Sequence, residues 1–468
     1  MSLPNQIHPF HVVGAGSQYQ VARSLRFRKS NSAYLSRTPS GAGNRQTWTW
    51  SGWVKFASIV STDYPTLFMG GATQSDTGAL RIGFGTNNLV VQGYNTNFIV
   101  SSQVFRDPSA WYHILIAFDT TQATASNRLK AYVNGTQITA FGTDNRASLT
   151  QNTNYGINQA ALHTIGYESA TFGSTYSDFY LGEINFIDGQ ALTPSSFGTT
   201  DSVTGAWIPT RYTGTYGTNG FYLPFSDNSG ATATTIGKDS SGNGNNWTPS
   251  GISVTAGTTN DSLVDSPTSY GSDTGAGGEA RGNYCTINPL RKSASIAISN
   301  GNLYIDGNSG SVQWESIAST FLVKTGKWYF EFLVSSTYAA GNHMVGLARE
   351  DVNWSSSGQH YLTENSATGK ALDQNSTTND VVCVAFDMDL GYAWGTKNAS
   401  LGTNPTNGLS PDATFSTAYY WGPAFSMVCG RNNTGWANFG QRPFAYTAPS
   451  GFKALCTQNL PTPTIGLY

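Results

Sequence analysis

Two pairs of acidic residues bear on whether this chain can cleave a glycosidic bond. Retaining glycoside hydrolases hold two carboxyl groups about 5–5.5 Å apart, on either side of the scissile bond. Glu183 and Asp188 are separated by an odd number of positions, so a regular strand would place them on opposite faces. Asp387 and Asp389 would share one face about 6.5 Å apart, given the rise of a strand. Spacing alone therefore leaves only the second pair as a catalytic candidate.

The histidines and cysteines follow no metal-binding pattern. The six histidines contain no His-Glu-x-x-His motif; they are His8, His11, His113, His163, His343 and His360. The four cysteines contain no Cys-x-x-Cys pair; they are Cys285, Cys383, Cys429 and Cys456. We therefore predict no metal ligands and no cofactor among them, and we expect free buried thiols from a reducing compartment. One disulfide within the second half of the chain is the alternative.

The composition excludes several classes of function. Charged residues make up only 11% of the 468 residues, and the formal net charge is −2. This leaves no basic surface for nucleic acid or an anionic membrane. No apolar run is long enough for membrane insertion, and the N-terminus shows no pattern of a secretory leader. Aromatic residues make up 13% and glycines number 52, which excludes a disordered chain. Serine, threonine and amide side chains must keep such a surface hydrated.

The chemistry-bearing residues must be positioned by strands, since the hydrophobic pattern alternates with period two. Trp48, Trp50, Val54 and Phe56 fall on one face of a predicted strand. A second predicted strand places Trp328, Phe330, Phe332 and Val334 on one face and Glu331 on the other. Asn134-Gly135 between two short strand-like runs predicts a hairpin with a type I′ turn. Many such runs separated by turn residues predict an all-β protein with two β-sandwiches.

Shifts in composition divide the chain into five parts. We predict that residues 1–20 form an extended arm that docks onto another protein and that residues 21–200 form the first sandwich. Residues 201–285 are rich in Gly, Ser, Thr and Asn but carry scattered aromatic residues, which indicates an ordered connector. Residues 286–446 predict the second sandwich. Residues 447–468 predict an extended tail that packs between subunits.

The first sandwich contains Trp-Tyr-His-Ile-Leu-Ile at 111–116, followed by Tyr-Val-Asn-Gly at 132–135 and a closing strand at 179–187. In this combination it resembles laminin-G-like jelly rolls of the concanavalin type. Residues 225–244 resemble a segment that precedes the first strand in this family, so we expect a displaced edge strand within 220–250 to complete the sandwich. The resemblance also implies calcium binding, for which the candidate ligands are Asp178, Asp188, Asp227 and Asp239. Turn formation by these aspartates is the alternative.

The second sandwich contains Lys-Trp-Tyr-Phe-Glu at 327–331, Met-Val-Gly-Leu-Ala at 344–348 and Asn-Phe-Gly-Gln-Arg-Pro-Phe at 438–444. With these segments it resembles a SPRY domain. This resemblance places Asp387 and Asp389 at a hairpin turn, where an aspartate caps the turn. With the second acidic pair so explained, we expect no enzymatic activity.

The combination of the two modules resembles virion proteins of marine bacteriophages that are called tail fibres. It implies a virion surface protein, made in the host cytoplasm, that recognises a host-cell glycan or protein and contacts other virion proteins. A homo-oligomer is expected, with a trimer preferred. A capsid decoration, cement or head-fibre protein is the alternative, and a secreted carbohydrate-binding protein is the third.

The SPRY resemblance also implies where a ligand would bind, since these folds bind through loops at one end of the sandwich. Aromatic side chains on such loops offer flat apolar faces with a polar edge. The predicted ligand-binding residues are Asn353, Trp354, His360, Tyr361, Tyr419 and Tyr420.

Overall fold

The computed structural model describes residues 19–57, 64–169, 172–202, 204–308, 310, 312–352, 354, 362 and 368–461. These residues form 35 strands, one four-residue α-helix and five 3-10 helices, so the predicted all-β class is confirmed. The α-helix is α1 (Asn404–Asn407), and the 3-10 helices are Lys29–Asn31, Ala125–Asn127, Arg146–Ser148, Pro194–Ser196 and Thr457–Asn459. None of the helices in these ranges is long and apolar enough to cross a membrane.

Twenty strands belong to the first sandwich and the connector. They are β1 (Ser24–Phe27), β2 (Tyr34–Arg37), β3 (Thr47–Phe56), β4 (Thr66–Gly71), β5 (Ala79–Gly85), β6 (Asn88–Gln92), β7 (Asn97–Val104), β8 (Trp111–Asp119), β9 (Leu129–Val133), β10 (Thr136–Gln137), β11 (Phe141–Asp144), β12 (His163–Ile165), β13 (Tyr167–Glu168), β14 (Thr175–Tyr176), β15 (Phe179–Asp188), β16 (Gly198–Thr200), β17 (Trp207–Pro209), β18 (Phe221–Leu223), β19 (Thr248–Ser250) and β20 (Ser262–Leu263).

The remaining fifteen strands belong to a connector hairpin and the second sandwich. They are β21 (Tyr270–Asp273), β22 (Gly278–Arg281), β23 (Ile287–Lys292), β24 (Ala297–Ser299), β25 (Tyr304–Asp306), β26 (Gln313–Ser319), β27 (Lys327–Ser336), β28 (His343–Arg349), β29 (Gly369–Asp373), β30 (Val381–Asp387), β31 (Tyr392–Lys397), β32 (Ala413–Thr414), β33 (Trp421–Cys429), β34 (Thr434–Asn438) and β35 (Lys453–Ala454).

Two eight-stranded sheets form the first sandwich. One has the order β10-β9-β8-β3-β15-β1-β20, with β18 also paired to β15, and the other has the order β11-β7-β6-β5-β4-β12-β2-β19. The alternation predicted for β3 is confirmed, because Trp48, Trp50, Val54 and Phe56 are buried in the core between the sheets. Trp53 points the other way and packs in a separate cluster on the outer face.

The predicted hairpin at Asn134-Gly135 is confirmed. These two residues join β9 to β10 and have φ angles of 46° and 80°. A type I′ turn needs positive φ at both central positions, which asparagine and glycine tolerate best.

The connector packs against the first sandwich. Strand β18 pairs with β15, and β19 pairs with β2, so parts of the 220–250 segment extend both sheets. Phe225 and Trp247 of this segment are buried in the core of that sandwich. Tyr212 and Tyr216 cover the outer face of the β15 sheet.

The second sandwich packs a five-stranded sheet on an eight-stranded one. Their orders are β23-β26-β33-β28-β29 and β24-β25-β34-β27-β30-β31-β32, with β35 paired in parallel to β27. Trp328, Phe330, Phe332 and Val334 of β27 are buried between the sheets, as their spacing predicts. The tail packs on its own chain up to residue 461, since Leu455 lies in this core. The described part of the tail supplies a strand and core residues to its own sandwich, and packing of the tail between subunits stays a prediction.

Buried polar contacts join the two sandwiches. Asp178, at the start of β15, accepts hydrogen bonds from the backbone N–H groups of Asn300 and Gly301 at 2.9 and 2.8 Å. Tyr180 donates to the carbonyl oxygen of Gly301. Within the first sandwich and connector, Arg26 and Asp261 form an ion pair at 3.0 Å with both side chains fully buried.

Candidate binding site

One end of the second sandwich brings together aromatic and charged side chains. Strand β28 ends at Arg349, which is paired with Trp421 at the start of β33. Tyr419 and Tyr420 immediately precede β33, so antiparallel pairing holds them beside the turn that follows Arg349. We name this surface the aromatic rim; it consists of Arg291, Lys324, Arg349, Asp351, Tyr419 and Tyr420.

Arg349 is held on two sides. Its Nε and Nη2 atoms each donate to a carboxylate oxygen of Asp351 at 2.6 Å. Its guanidinium group lies 4.0 Å from the centre of the Tyr419 ring, within the range of a cation–π contact. The hydrogen bonds from Arg349 lower the pKa of Asp351, and the same bonds raise the pKa of Arg349. The pair therefore stays ionised at neutral pH, and Tyr419 is 38% exposed above it.

Tyr420 is fixed mainly through its backbone. Its carbonyl oxygen accepts a hydrogen bond from the backbone N–H of Glu350 at 3.0 Å, and its own N–H donates to Glu350 Oε1 at 3.4 Å. The ammonium group of the exposed Lys324 lies 5.3 Å from the Tyr420 ring centre. Each tyrosine of the rim is thus paired with its own cation.

Trp354 is placed differently from its predicted role. The side chain is only 5% exposed and packs in a small apolar cluster with Met344, Ala348 and Leu362. Its ring faces the guanidinium of Arg291 at 5.6 Å. The indole therefore supports the rim from beneath instead of offering a face to a ligand, because an indole gains more free energy from burial than from exposure on a loop.

Three of the six predicted ligand-binding residues lie close together in the structure. Tyr419 and Tyr420 lie together on the rim, and Trp354 lies under it next to Arg291. Asn353, His360 and Tyr361 lie outside the described residues.

Sequence reasoning missed the three cations of the rim. Arg291, Lys324 and Arg349 lie far apart in sequence, and only strand pairing brings them to the same end of the sandwich. Arg291 also donates from Nη2 to the carbonyl oxygen of Arg349. The only local signal was Arg349 and Asp351 at the end of the Met-Val-Gly-Leu-Ala strand. Exposed Tyr with anchored Arg is the combination of residue types that dominates protein-binding hot spots.

The four calcium candidates all accept hydrogen bonds within the protein. Asp188 accepts from the N–H groups of Asn44 and Asn219 and from the side chain of Asn158. Asp239 accepts from Tyr222 N–H at 2.8 Å and from Ser241 N–H at 2.8 Å.

Asp178 binds the backbone of the second sandwich, as described above, and Asp227 accepts from Ser229 in an exposed turn. These bonds are those of turn-forming and loop-fixing aspartates. In the ranges that the structure describes, no group of three or more His, Cys, Asp or Glu side chains is placed to hold a metal ion.

The two acidic pairs occupy separate hydrogen-bonded settings. Glu183 accepts from the hydroxyl groups of Tyr19 and Tyr222 at 2.7 and 2.9 Å, whereas Asp188 binds asparagines at the end of the strand. Asp387 caps the turn as predicted, because its Oδ1 accepts from the N–H groups of Asp389 and Leu390.

Comparison with known proteins gives similarity to solved structures only. No protein-family model and no curated protein matches this chain. The SPRY domain of human HERC1 is 17% identical with a TM-score of 0.25, over 32% of this chain and 96% of that one. A heptameric SAP-like pentraxin from Limulus polyphemus is 14% identical with a TM-score of 0.30, over 41% and 92% of the two chains. A Bacteroides ovatus protein described as carbohydrate-binding is 16% identical with a TM-score of 0.31, over 49% of this chain and 58% of that one.

Proposed function

We propose that this chain is a non-enzymatic surface protein of a bacteriophage virion, preferably in a tail fibre, that attaches the particle to its host cell. The aromatic rim binds a cell-surface protein or glycan. The observation that carries the proposal is the Tyr419–Arg349–Asp351 arrangement. It presents an exposed aromatic ring whose partner cation is already fixed by two hydrogen bonds of 2.6 Å. Such preorganisation lowers the entropy cost of binding.

Binding is preferred over catalysis because acidic side chains of both candidate pairs are engaged in hydrogen bonds that stabilise the fold. Glu183 accepts from two tyrosine hydroxyl groups, and Asp387 accepts from two turn amides. Asp389 accepts from the N–H of Gly326 at 3.1 Å. These bonds hold a strand of the first sandwich and a turn of the second.

The avidity of attachment through this surface increases with the number of linked copies of the chain. A rim of a few residues makes a small contact, but linked copies in an oligomer bind a cell surface with an effective concentration far above that of a single site. We therefore expect an oligomer, with a trimer preferred, to bind cells much more tightly than one chain.

The test is competition between the purified full chain and phage adsorption. Excess oligomer is expected to block adsorption, and Tyr419→Ala is expected to weaken the block at least about tenfold because a hot-spot truncation costs about 2 kcal/mol. The matched control is Tyr338→Ala. Tyr338 is 62% exposed and stacks on Arg431 at 4.1 Å, but it lies in the loop before β28, at the other end of that strand. Absence of any block by saturating wild-type oligomer would refute host recognition.

Gold-labelled antibody on virions locates the chain. Label on tails supports the proposal. Label confined to heads contradicts the tail-fibre assignment and favours a capsid decoration protein, the alternative that uses the same two folds.

A further inference from the structure

A cavity of about 320 Å³ lies between the connector and the second sandwich. One wall is formed by residues 275–278, the end of the β21–β22 turn and the start of β22. The opposite wall is the segment 440–448 that follows β34. The cavity shares no residue with the aromatic rim. Its volume is at the lower end of the range for small-molecule sites, which suits a ligand of about one ring.

Both walls are held in place by acidic groups, the buried Glu331 and the half-buried Asp273. Glu331 accepts from the backbone N–H groups of Ala445 and Tyr446, both at 2.8 Å. Asp273 Oδ2 accepts from the N–H of Ala454 at 2.7 Å, which ties the hairpin to strand β35. The cavity is therefore formed before any ligand arrives, and binding costs little ordering of the protein.

The charged groups around the cavity are already bound within the protein. The second carboxylate oxygen of Asp273 accepts from the N–H of Gly275, and Glu279 pairs with Arg281 at 2.6 Å. Arg442 is 4% exposed and donates from Nη2 to the carbonyl oxygen of Ala437, while its Nη1 atom makes no hydrogen bond and has almost no accessible surface. A ligand in the cavity cannot reach Nη1 without a rearrangement of the wall, so a neutral ligand fits best.

The remaining lining combines aromatic faces with bare backbone. The part-exposed Phe444 and Tyr446 line the cavity, and the buried Tyr284 lies behind them. Three of the four residues 275–278, at the end of the turn and the start of β22, are glycine, so side chains do not cover the peptide groups there. Gly275 and Gly278 have φ angles of 82° and 89°, which other residues adopt only with strain. Rings beside exposed peptide groups suit a sugar, which has apolar C–H faces and hydroxyl edges.

We propose that this cavity binds one neutral sugar unit, such as the terminal or branch residue of a glycan. The inference rests on the proposed role in cell-surface recognition, and it adds a second contact on a different part of the molecule from the rim.

The test uses the full chain and a panel of neutral and acidic monosaccharides, with binding measured by saturation-transfer NMR and calorimetry. A tryptophan added to either wall fills the cavity. Gly277→Trp is suited to this because a Cβ atom at Gly277 would meet no atom within 4 Å. Ala445→Trp adds bulk from the opposite wall. Gly41→Trp is the matched control, since Gly41 is equally open and lies in the first sandwich.

A neutral sugar is expected to bind wild type and Gly41→Trp equally. Both cavity variants are expected to lose binding by at least about tenfold, since the ligand volume is filled. Thermal melting confirms that each variant is folded, and one folded cavity variant suffices. Undiminished binding in a folded cavity variant, binding of acidic sugars only, or no binding by any sugar overturns the inference. If the cavity binds no sugar while the oligomer still blocks adsorption, only the proposal of a sugar site in the cavity fails, and the proposed function stands. If it binds a sugar while the oligomer does not block adsorption, the proposed function fails and the cavity site stands.

Discussion

Lys55 Nζ lies 2.7 Å from Asp265 Oδ2, and neither side chain has any exposed surface. The ammonium group also donates to Asn283 Oδ1 at 2.8 Å and to the carbonyl oxygen of Tyr284 at 2.7 Å. All three of its hydrogens therefore have acceptors. Lys55 belongs to β3 of the first sandwich, whereas the acceptors lie at the end of the connector, so this network fixes how the second sandwich is attached.

Asp265→Ala should strongly destabilise the protein because it leaves the Lys55 ammonium group buried without its counter-ion. We expect the free energy of unfolding to fall by about 3–5 kcal/mol. Guanidinium denaturation measures the loss. The surface pair Glu279–Arg281, in which Glu279 is exposed, serves as the control, since Glu279→Ala should cost less than about 1 kcal/mol. The double variant Lys55→Met, Asp265→Leu should recover stability relative to Asp265→Ala. Equal losses for Asp265→Ala and Glu279→Ala would contradict this account of the interface.

Glu183 should make the protein less stable as the pH rises through the acidic range. Burial raises the pKa of Glu183 from 4.5 to about 7. The folded state then binds a proton that the unfolded state has lost, so the free energy of unfolding falls between about pH 4.5 and 7, by about 3 kcal/mol in total. Glu183→Gln should remove this dependence and be the more stable form at pH 8. Denaturation at a series of pH values tests this, with the exposed Glu279→Gln as control. A pH profile for Glu183→Gln that coincides with wild type would refute it.

His113 should make the protein less stable as the pH falls, which is opposite to the effect of Glu183. Its Nδ1 accepts a hydrogen bond from Trp207 Nε1 at 3.1 Å, and its Nε2 bonds Ser51 Oγ at 2.8 Å, so the ring is neutral. Burial lowers the pKa of His113 from 6.5 to about 3. Below about pH 6.5 the unfolded state binds a proton that the folded state excludes, and stability falls by about 1.4 kcal/mol per pH unit from this group.

His113→Asn keeps an acceptor for Trp207 and removes the titration. We expect it to be less stable than wild type at pH 7.5, through lost packing, and to lose less stability than wild type between pH 6 and 4. Thermal midpoints across this range provide the measurement. A steeper loss in His113→Asn than in wild type would show that the imidazole is not the group responsible.

The four cysteines should be unreactive in the folded protein. All four are free and buried, which confirms the prediction of free thiols. Burial raises the pKa of Cys285 to about 11 and that of Cys383 to about 12, so little reactive thiolate forms at pH 8. A thiol reagent should modify none of them in native protein and all four after denaturation. Rapid reaction of native protein would contradict the burial, and two thiols after denaturation would indicate a disulfide.

Local sequence patterns correctly predicted the strands and the turn, because the conformation of these segments depends mainly on neighbouring residues. The alternation in β3 and β27 identified the side chains that face the two cores, because a strand alternates its faces with period two. Asn134-Gly135 identified a turn, because positive φ is a property of those two residues.

The structure differs from the sequence-based predictions where contacts with other segments determine the burial or the backbone conformation of a residue. Trp354 has the sequence context of a loop, yet the apolar cluster beside Ala348 buries it. Glu183 has a φ of 53°, and the register of β15 against β3 shifts between Gly182 and Asn185. On the same edge of β15, strand β1 pairs before this shift and strand β18 pairs after it. No local sequence pattern around Glu183 reveals this change of partner strand.

The sequence by itself determined an all-β chain with two sandwiches, their core-facing residues and a surface low in charge. These follow from periodicity and composition, which each segment carries alone. Only the tertiary structure decided that Arg349 and Lys324 lie against the rings of Tyr419 and Tyr420 and that a cavity opens beside Gly277. Each of these needs segments that are tens to hundreds of residues apart to meet, and their meeting depends on the register of long-range strand pairing and on which charges are buried together.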